Sequence, residues 1–132
     1  MTVVVDTSAV TAVVFGEPDA EMFLSAMLAN AGDLQMSAGT AVEVGIVVEA
    51  RQGSDATNDL RILVDRLGIA TVPFDRAQAD AAVAAWRRFG KGRHPANLNL
   101  GDCFSYALAK MGPAPLLFKG RDFSQTDISS AL

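Results

Sequence analysis

Val3-Val4-Val5 places three β-branched residues in a row with no polar alternation. A strand with one wet face alternates apolar with polar, so an unbroken run reads as an interior strand of a parallel sheet, covered on both sides. Three more short apolar segments follow: Leu34-Gln35-Met36, Ile69 to Phe74, and Leu116-Leu117-Phe118. The intervals between them are long enough for helices. Alternation of this kind predicts an α/β domain of three layers, α/β/α, with helices on both faces of a small central parallel sheet. The 132 residues suffice for one such domain spanning 1–132.

The intervening segments carry helix punctuation. Asp6-Thr7-Ser8 offers cap chemistry for a helix over about Ala9 to Phe15, ended by Gly16. Pro18 suits an early helical position, and Met22, Phe23, Ala26 and Met27 recur at helical spacing. Ser37 or Thr40 caps a helix that reaches about Arg51 and stops at Gly53, with Val42, Ile46, Val47 and Ala50 expected as its core face. Ser54 or Asp55 starts another, carrying Leu60, Leu63, Val64 and Leu67 on one side and closed by Gly68. Asp75, with Gln78 three residues on, opens an Ala-rich helix to about Phe89. Gly90 to Leu100 is the one long loop, and Asn99 caps a helix over Gly101 to Met111.

Composition removes several function classes. Half the residues are hydrophobic, a fifth are charged and the mean hydropathy is +0.24, which excludes a disordered chain. No apolar run approaches the roughly 18–20 residues needed to cross a bilayer. No basic stretch precedes the first strand, so a cytoplasmic location is expected. The single cysteine, Cys103, excludes an intramolecular disulfide and reads as a small core residue. The net charge of −4 argues against a broad phosphate-binding surface, yet Arg87, Arg88, Lys91 and Arg93 cluster, with His94 beside them. Two readings stay open for that cluster: a solvated helix end, or a nucleic-acid contact.

Four carboxylates stand in or beside the most apolar segments: Asp6, Glu43, Asp102 and Asp122. Removing such a charge from water costs several kcal/mol or more, on the order of magnitude, unless it is paired. Three of the four have no cation next to them in sequence, and Arg51, the next basic residue after Glu43, is about 12 Å further along at helical rise. Either each acid finds a distant basic partner or they converge on a shared cation. In open α/β sheets ligands bind beyond the carboxyl ends of the strands. Asp6 ends the first strand, Asp122 follows the last, and Asp102 and Glu43 are expected in the first turns of their helices. Oxygen-only ligation without a His or Cys cluster suits Mg2+ or Mn2+ and disfavours zinc. Asp55, Asp59, Asp65 and Asp80 sit on helix faces, and Asp19 and Glu21 at a helix start, where negative charge is favoured. Asp127 is left as a supporting group for the site.

These segments, in this order, resemble a known family. Val3-Val4-Val5-Asp6-Thr7-Ser8-Ala9 resembles the opening strand and acidic turn of PIN-domain ribonucleases, and Thr40-Ala41-Val42-Glu43-Val44 their helix with the second acid. Leu98 to Ala109 is similar to the third acidic segment of VapC-type toxins, and Pro115 to Ile128 to the closing motif of one VapC subgroup. The resemblance implies a metal-dependent endoribonuclease, the toxin of a toxin–antitoxin pair, held in check by a VapB-type antitoxin and usually a homodimer. It implies Asp6, Glu43, Asp102 and Asp122 as the quartet for Mg2+ or Mn2+, with Asp6 and Asp102 as direct ligands. Arg87, Arg88, Lys91 and Arg93 would hold RNA, with Trp86 or Phe89 as stacking partners. The chain departs from the family after the last strand, where Phe118-Lys119-Gly120 replaces a common Ser or Thr. Lys119 there is a candidate phosphate contact, or a counter-charge to the acids. Two other classes fit less well. A receiver-like phosphotransfer module wants a pair of acids after the first strand, and Asp6 stands alone. The alternative is a non-cleaving PIN-like scaffold that binds RNA or antitoxin, against which the presence of all four acids speaks.

Overall fold

The computed structural model describes residues 1–132. Strands β1 (Val3–Val5), β2 (Leu34–Ser37), β3 (Ala70–Val72) and β4 (Leu116–Leu117) form one sheet in the order β3-β2-β1-β4, with every neighbouring pair parallel. Helices α1 (Thr7–Val14), α2 (Ala20–Ala29), α3 (Ala38–Leu67), α4 (Arg76–Phe89) and α5 (Leu100–Met111) cover it. Val3 and Val5 face a core with Val10, Phe23, Met27 and Val48 from α1, α2 and α3, whereas Val4 faces Ala85, Phe89, Tyr106 and Ala107 from α4 and α5. The unbroken β-branched run is therefore buried from both sides, the three-layer arrangement that its pattern requires.

The chain winds outward from β1 through β2 to β3, then returns across the sheet to add β4 on the other side of β1. The winding direction thus reverses beside β1, and the crevice beyond its carboxyl end is where such sheets bind ligands. Asp6 is the next residue.

Three details differ from the sequence expectations. The helices read as separate at Gly53 are one element, kinked where Gly53 takes φ 78° and ψ −167°, a conformation open to glycine and not to a side chain with a Cβ. Ser37, not Thr40, caps α3, which places Glu43 in the second turn rather than the first. The core face of α3 is also rotated. Thr40, Val44 and Val48 point inward, while Val42 and Ile46 are 62% and 64% exposed. Nearly every residue from 41 to 50 is apolar, so hydrophobic spacing alone could not select the inner stripe. On the other face, Asp75 and Asn99 cap α4 and α5 as their positions predict.

Candidate active site

Four segments bring the four acids to the crevice. Asp6 leaves β1 in extended conformation and caps α1. Its Oδ2 accepts from the Ser8 amide at 3.0 Å and the Ser8 hydroxyl at 2.6 Å, and its Oδ1 accepts from Ser105 at 2.5 Å. Asp6 is only 3% exposed, and three donors compensate the desolvation. Glu43 reaches in from α3, where its Oε1 accepts from Thr7 Oγ1 at 2.6 Å. Its carboxylate packs on the backbone of Gly101, so closely that a methyl group there would overlap it. A glycine next to Asp102 thus lets Glu43 lie beside the start of α5.

Asp102 is the third residue of α5. It and Asn99 form a capping box: Asp102 Oδ2 accepts from the Asn99 amide at 3.0 Å, and Asn99 Oδ1 from the Asp102 amide at 2.9 Å. Burial pushes the Asp102 carboxyl up to about 7; the Asn99 hydrogen bond opposes this, and the charges of Asp6, Asp122 and Glu43 add to it. Asp122 precedes the short 3-10 turn Phe123–Gln125, exposed and without a side-chain cap bond. Its charge reaches Asp102 nonetheless.

None of the four has a cationic partner. The ion pairs of the protein join Met1 to Asp33, Arg88 and Lys110 to Asp127, and Lys119 to Glu17 and Asp19. Nor do three of the acids close on a common point to make a ready ligand set. Asp102 turns to its own helix cap and Glu43 to Thr7. An all-oxygen group of this kind, with no lysine or arginine among it, has the chemistry of a Mg2+ or Mn2+ site.

The remaining predicted residues divide. Lys119 is drawn away from the acids: its Nζ lies 3.0 Å from Asp19 and 3.4 Å from Glu17, and Asp19 foremost raises its pKa. Its backbone amide, instead, donates to Ser8 Oγ at 2.9 Å, tying the segment after β4 to the residue that holds Asp6. Arg88 is engaged with Asp127 at 3.4 Å and stacks on Phe89, which is itself core. Arg93 stacks on Trp86 and donates to the Arg87 carbonyl. Arg87 and Lys91 make no ion pair. Lys91, Trp86 and Leu98 line an apolar groove that meets, at Asn99 and Leu100, a second depression lined by Val42, Glu43 and Phe104. Asp127 is no supporting group for the acids; it ties the tail to Lys110 and Tyr106. Cys103 is buried and its thiol is pushed up to about 11, chiefly by that burial, as suits a core residue.

Sequence reasoning missed the hydroxyls. Thr7 and Ser8 were expected to cap a helix, and Ser105 and Thr40 carried no site expectation. Ser105 had a signal: it is the one serine or threonine in the largely apolar stretch from Cys103 to Ala109, three residues after an acid.

Comparison with known proteins agrees with this architecture. The PIN domain family model matches residues 3–129. The chain is 48% identical to Ribonuclease VapC of Mycolicibacterium smegmatis over 96% of its length and 98% of that protein's. It is 49% identical to Ribonuclease VapC30 of Mycobacterium tuberculosis, covering 96% of each. Among solved structures, Mycobacterium tuberculosis VapC20, a sarcin-ricin loop cleaving toxin, superposes with a TM-score of 0.79 at 15% identity, over 96% of both chains. A toxin–antitoxin complex from Klebsiella pneumoniae gives 0.74 at 16%, over 99% of this chain and 98% of that one. At these identities the two structures speak for the fold alone, and it is the sequence relatives that carry the assignment. The chain belongs to the PIN-domain family, among its VapC-type ribonucleases.

Proposed function

We propose that Asp6, Glu43, Asp102 and Asp122 form the active site of a Mg2+- or Mn2+-dependent endoribonuclease, the toxin of a VapBC-type pair. The observation that carries this is the set of four acids from four chain segments, none with a cationic partner, in which the charges of Asp6, Glu43 and Asp122 reach a half-buried Asp102. When bound, a divalent ion supplies charge to polarise the phosphodiester and to lower the pKa of an attacking water. The protein's part is to hold oxygen ligands ready. Asp6 and Asp102 are the direct ligands, the first fixed by Ser8 and Ser105, the second by the capped start of α5. Glu43 is steadied by Thr7, and exposed Asp122 orients water at the mouth.

A negative mouth repels RNA, so binding needs cations set back from it. Arg87, Arg88, Lys91 and Arg93 are the proposed phosphate contacts. Of these, Arg87, Lys91 and Arg93 are free of ion pairs, and Lys91 lies on the groove that runs to Glu43. Trp86 offers a base-stacking face. The proposed partners are an RNA substrate, a VapB-type antitoxin and a second copy of the chain. Exposed Val42, Ile46 and Leu100 are apolar surface that protein partners would cover. A single domain over 1–132 acting in the cytoplasm completes the proposal, consistent with the lack of any helix long and apolar enough to cross a membrane.

The test is cleavage of RNA by the purified protein with and without Mg2+ or Mn2+, beside Asp6→Asn and Asp102→Asn. Metal-dependent cleavage lost in both variants is expected. Cleavage that survives chelation, or either substitution, removes the metal-site assignment. RNA binding without cleavage under all conditions would favour the scaffold reading.

A further inference from the structure

Ser105 enters the site above only as one donor to Asp6, and Thr40 does not enter it, yet the two are the most deeply enclosed polar side chains of the protein, both at 0% exposure. Their hydroxyl oxygens lie 3.2 Å apart, and Ser105 Oγ lies 2.5 Å from Asp6 Oδ1. The geometry fixes the direction of these bonds. Ser105 has one proton, and the short contact to an accepting carboxylate oxygen commits it to Asp6. Thr40 must then be the donor to Ser105. Residues separated by 65 and 99 positions thus form one directed chain, Thr40 to Ser105 to Asp6.

Packing alone does not account for the pair. Alanine at 105 and valine at 40 would fill much the same space without burying a hydroxyl, which is costly to enclose unless it is bonded. Thr40 Oγ1 has no hydrogen-bond partner apart from Ser105. The other Asp6 oxygen is held by Ser8 through two bonds, so Ser105 supplies the second fixed point that stops the carboxylate from pivoting. We infer that Ser105, backed by Thr40, is a positioning residue that sets the plane of the Asp6 carboxylate for a divalent cation. This rests on the proposed role of Asp6 as a metal ligand.

The experiment titrates Mn2+ alone into the full chain, without RNA, and reads free Mn2+ by its paramagnetic resonance signal. It is run well below the melting temperature of every variant, so that stability does not enter. Ser105→Ala is expected to weaken Mn2+ binding about tenfold, the scale on which donors behind metal ligands act. Thr40→Val weakens it less, and Thr40→Ser restores it. Because Thr40 acts through Ser105, the double variant binds no more weakly than Ser105→Ala alone. Unchanged affinity in Ser105→Ala overturns the inference, and so does a double variant whose loss equals the product of the two single losses. Should Ser105→Ala not fold, Thr40→Val against Thr40→Ser carries the same test. If the wild-type protein binds no Mn2+, the metal role of Asp6 fails and the inference with it; if wild type and Ser105→Ala bind alike, only the positioning role fails.

Discussion

Helix α5 has a carboxylate near each end, and the two live under opposite rules. At its start, Asp102 is half-buried among acids and its carboxyl is pushed up to about 7. Beside its last turn, Asp127 accepts from Lys110 at 2.7 Å, Tyr106 at 2.6 Å and Arg88 at 3.4 Å. Burial would raise Asp127, but the Lys110 and Tyr106 hydrogen bonds prevail and lower it. The acid with cationic partners fastens the tail to the helix. The acid without them is the one proposed to take part in the chemistry.

Exchanging each acid for its amide is the strongest way to break this contrast. Asp102→Asn should cut RNA cleavage by about a hundredfold or more, since it removes a charge from the metal site. Its amide oxygen can still accept from the Asn99 amide, so the cap survives and the protein stays folded. Asp127→Asn should leave cleavage intact and lower the Tm by a few degrees, for a loss of about 1 kcal/mol, because its ion pairs are solvent-exposed. Equal cleavage by the two variants would erase the distinction. Gly101→Ala comes next. The added methyl must displace the Glu43 carboxylate, and cleavage should fall about tenfold or more with little change in the circular dichroism of the fold. A fully active Gly101→Ala would separate Glu43 from the chemistry.

Acidity sharpens the comparison more gently. Folded Asp102 keeps its proton up to about 7, whereas in the unfolded chain it loses it near 3.8. The folded state therefore binds more protons between those values, and its stability falls as pH rises through them. The metal-free Tm should drop from pH 5 to pH 8, and saturating Mg2+ should restore most of the loss at pH 8. In Asp102→Asn the drop should flatten. Asp127 works the other way: its contribution is present above the unfolded value and is lost as pH falls through the lowered folded one. A metal-free Tm that does not move with pH, or that ignores Mg2+, would count against a shared site. The smallest effect separates two members of the basic cluster. Lys91→Ala should reduce the salt dependence of RNA binding by about one unit of slope. Arg88→Ala should reduce the slope by less and also loosen the tail, since its guanidinium is shared with Asp127.

Much of the architecture was legible because it follows from local chemistry. Val3-Val4-Val5 could only be an interior strand, and Asp75 and Asn99 mark helix starts by the hydrogen bonds their side chains make. The acids were conspicuous for the same reason: charge in an apolar setting needs a cause. What stayed hidden depends on residues far apart in the chain. The inner face of α3, which brings Thr40 to Ser105 and Val44 and Val48 to the core, is not selected by the spacing of its many apolar residues. That Lys119 would answer to Glu17 and Asp19 rather than to the acids, and Asp127 to Lys110, is likewise invisible before the segments meet.

The bond from the Lys119 amide to Ser8 Oγ spans 111 residues, beside the pairing of β4 with β1. A chain is synthesised from its amino end, and its earliest segments wait for the latest before such contacts can close. Asp6 emerges first of the four acids and Asp122 last. A nuclease that folds on the ribosome is thus surrounded by RNA, including its own message, while the parts of its proposed cutting site remain unassembled. The parallel strand order that places β4 last beside β1 makes synthesis of β4 and Asp122 a condition for assembly of the proposed site.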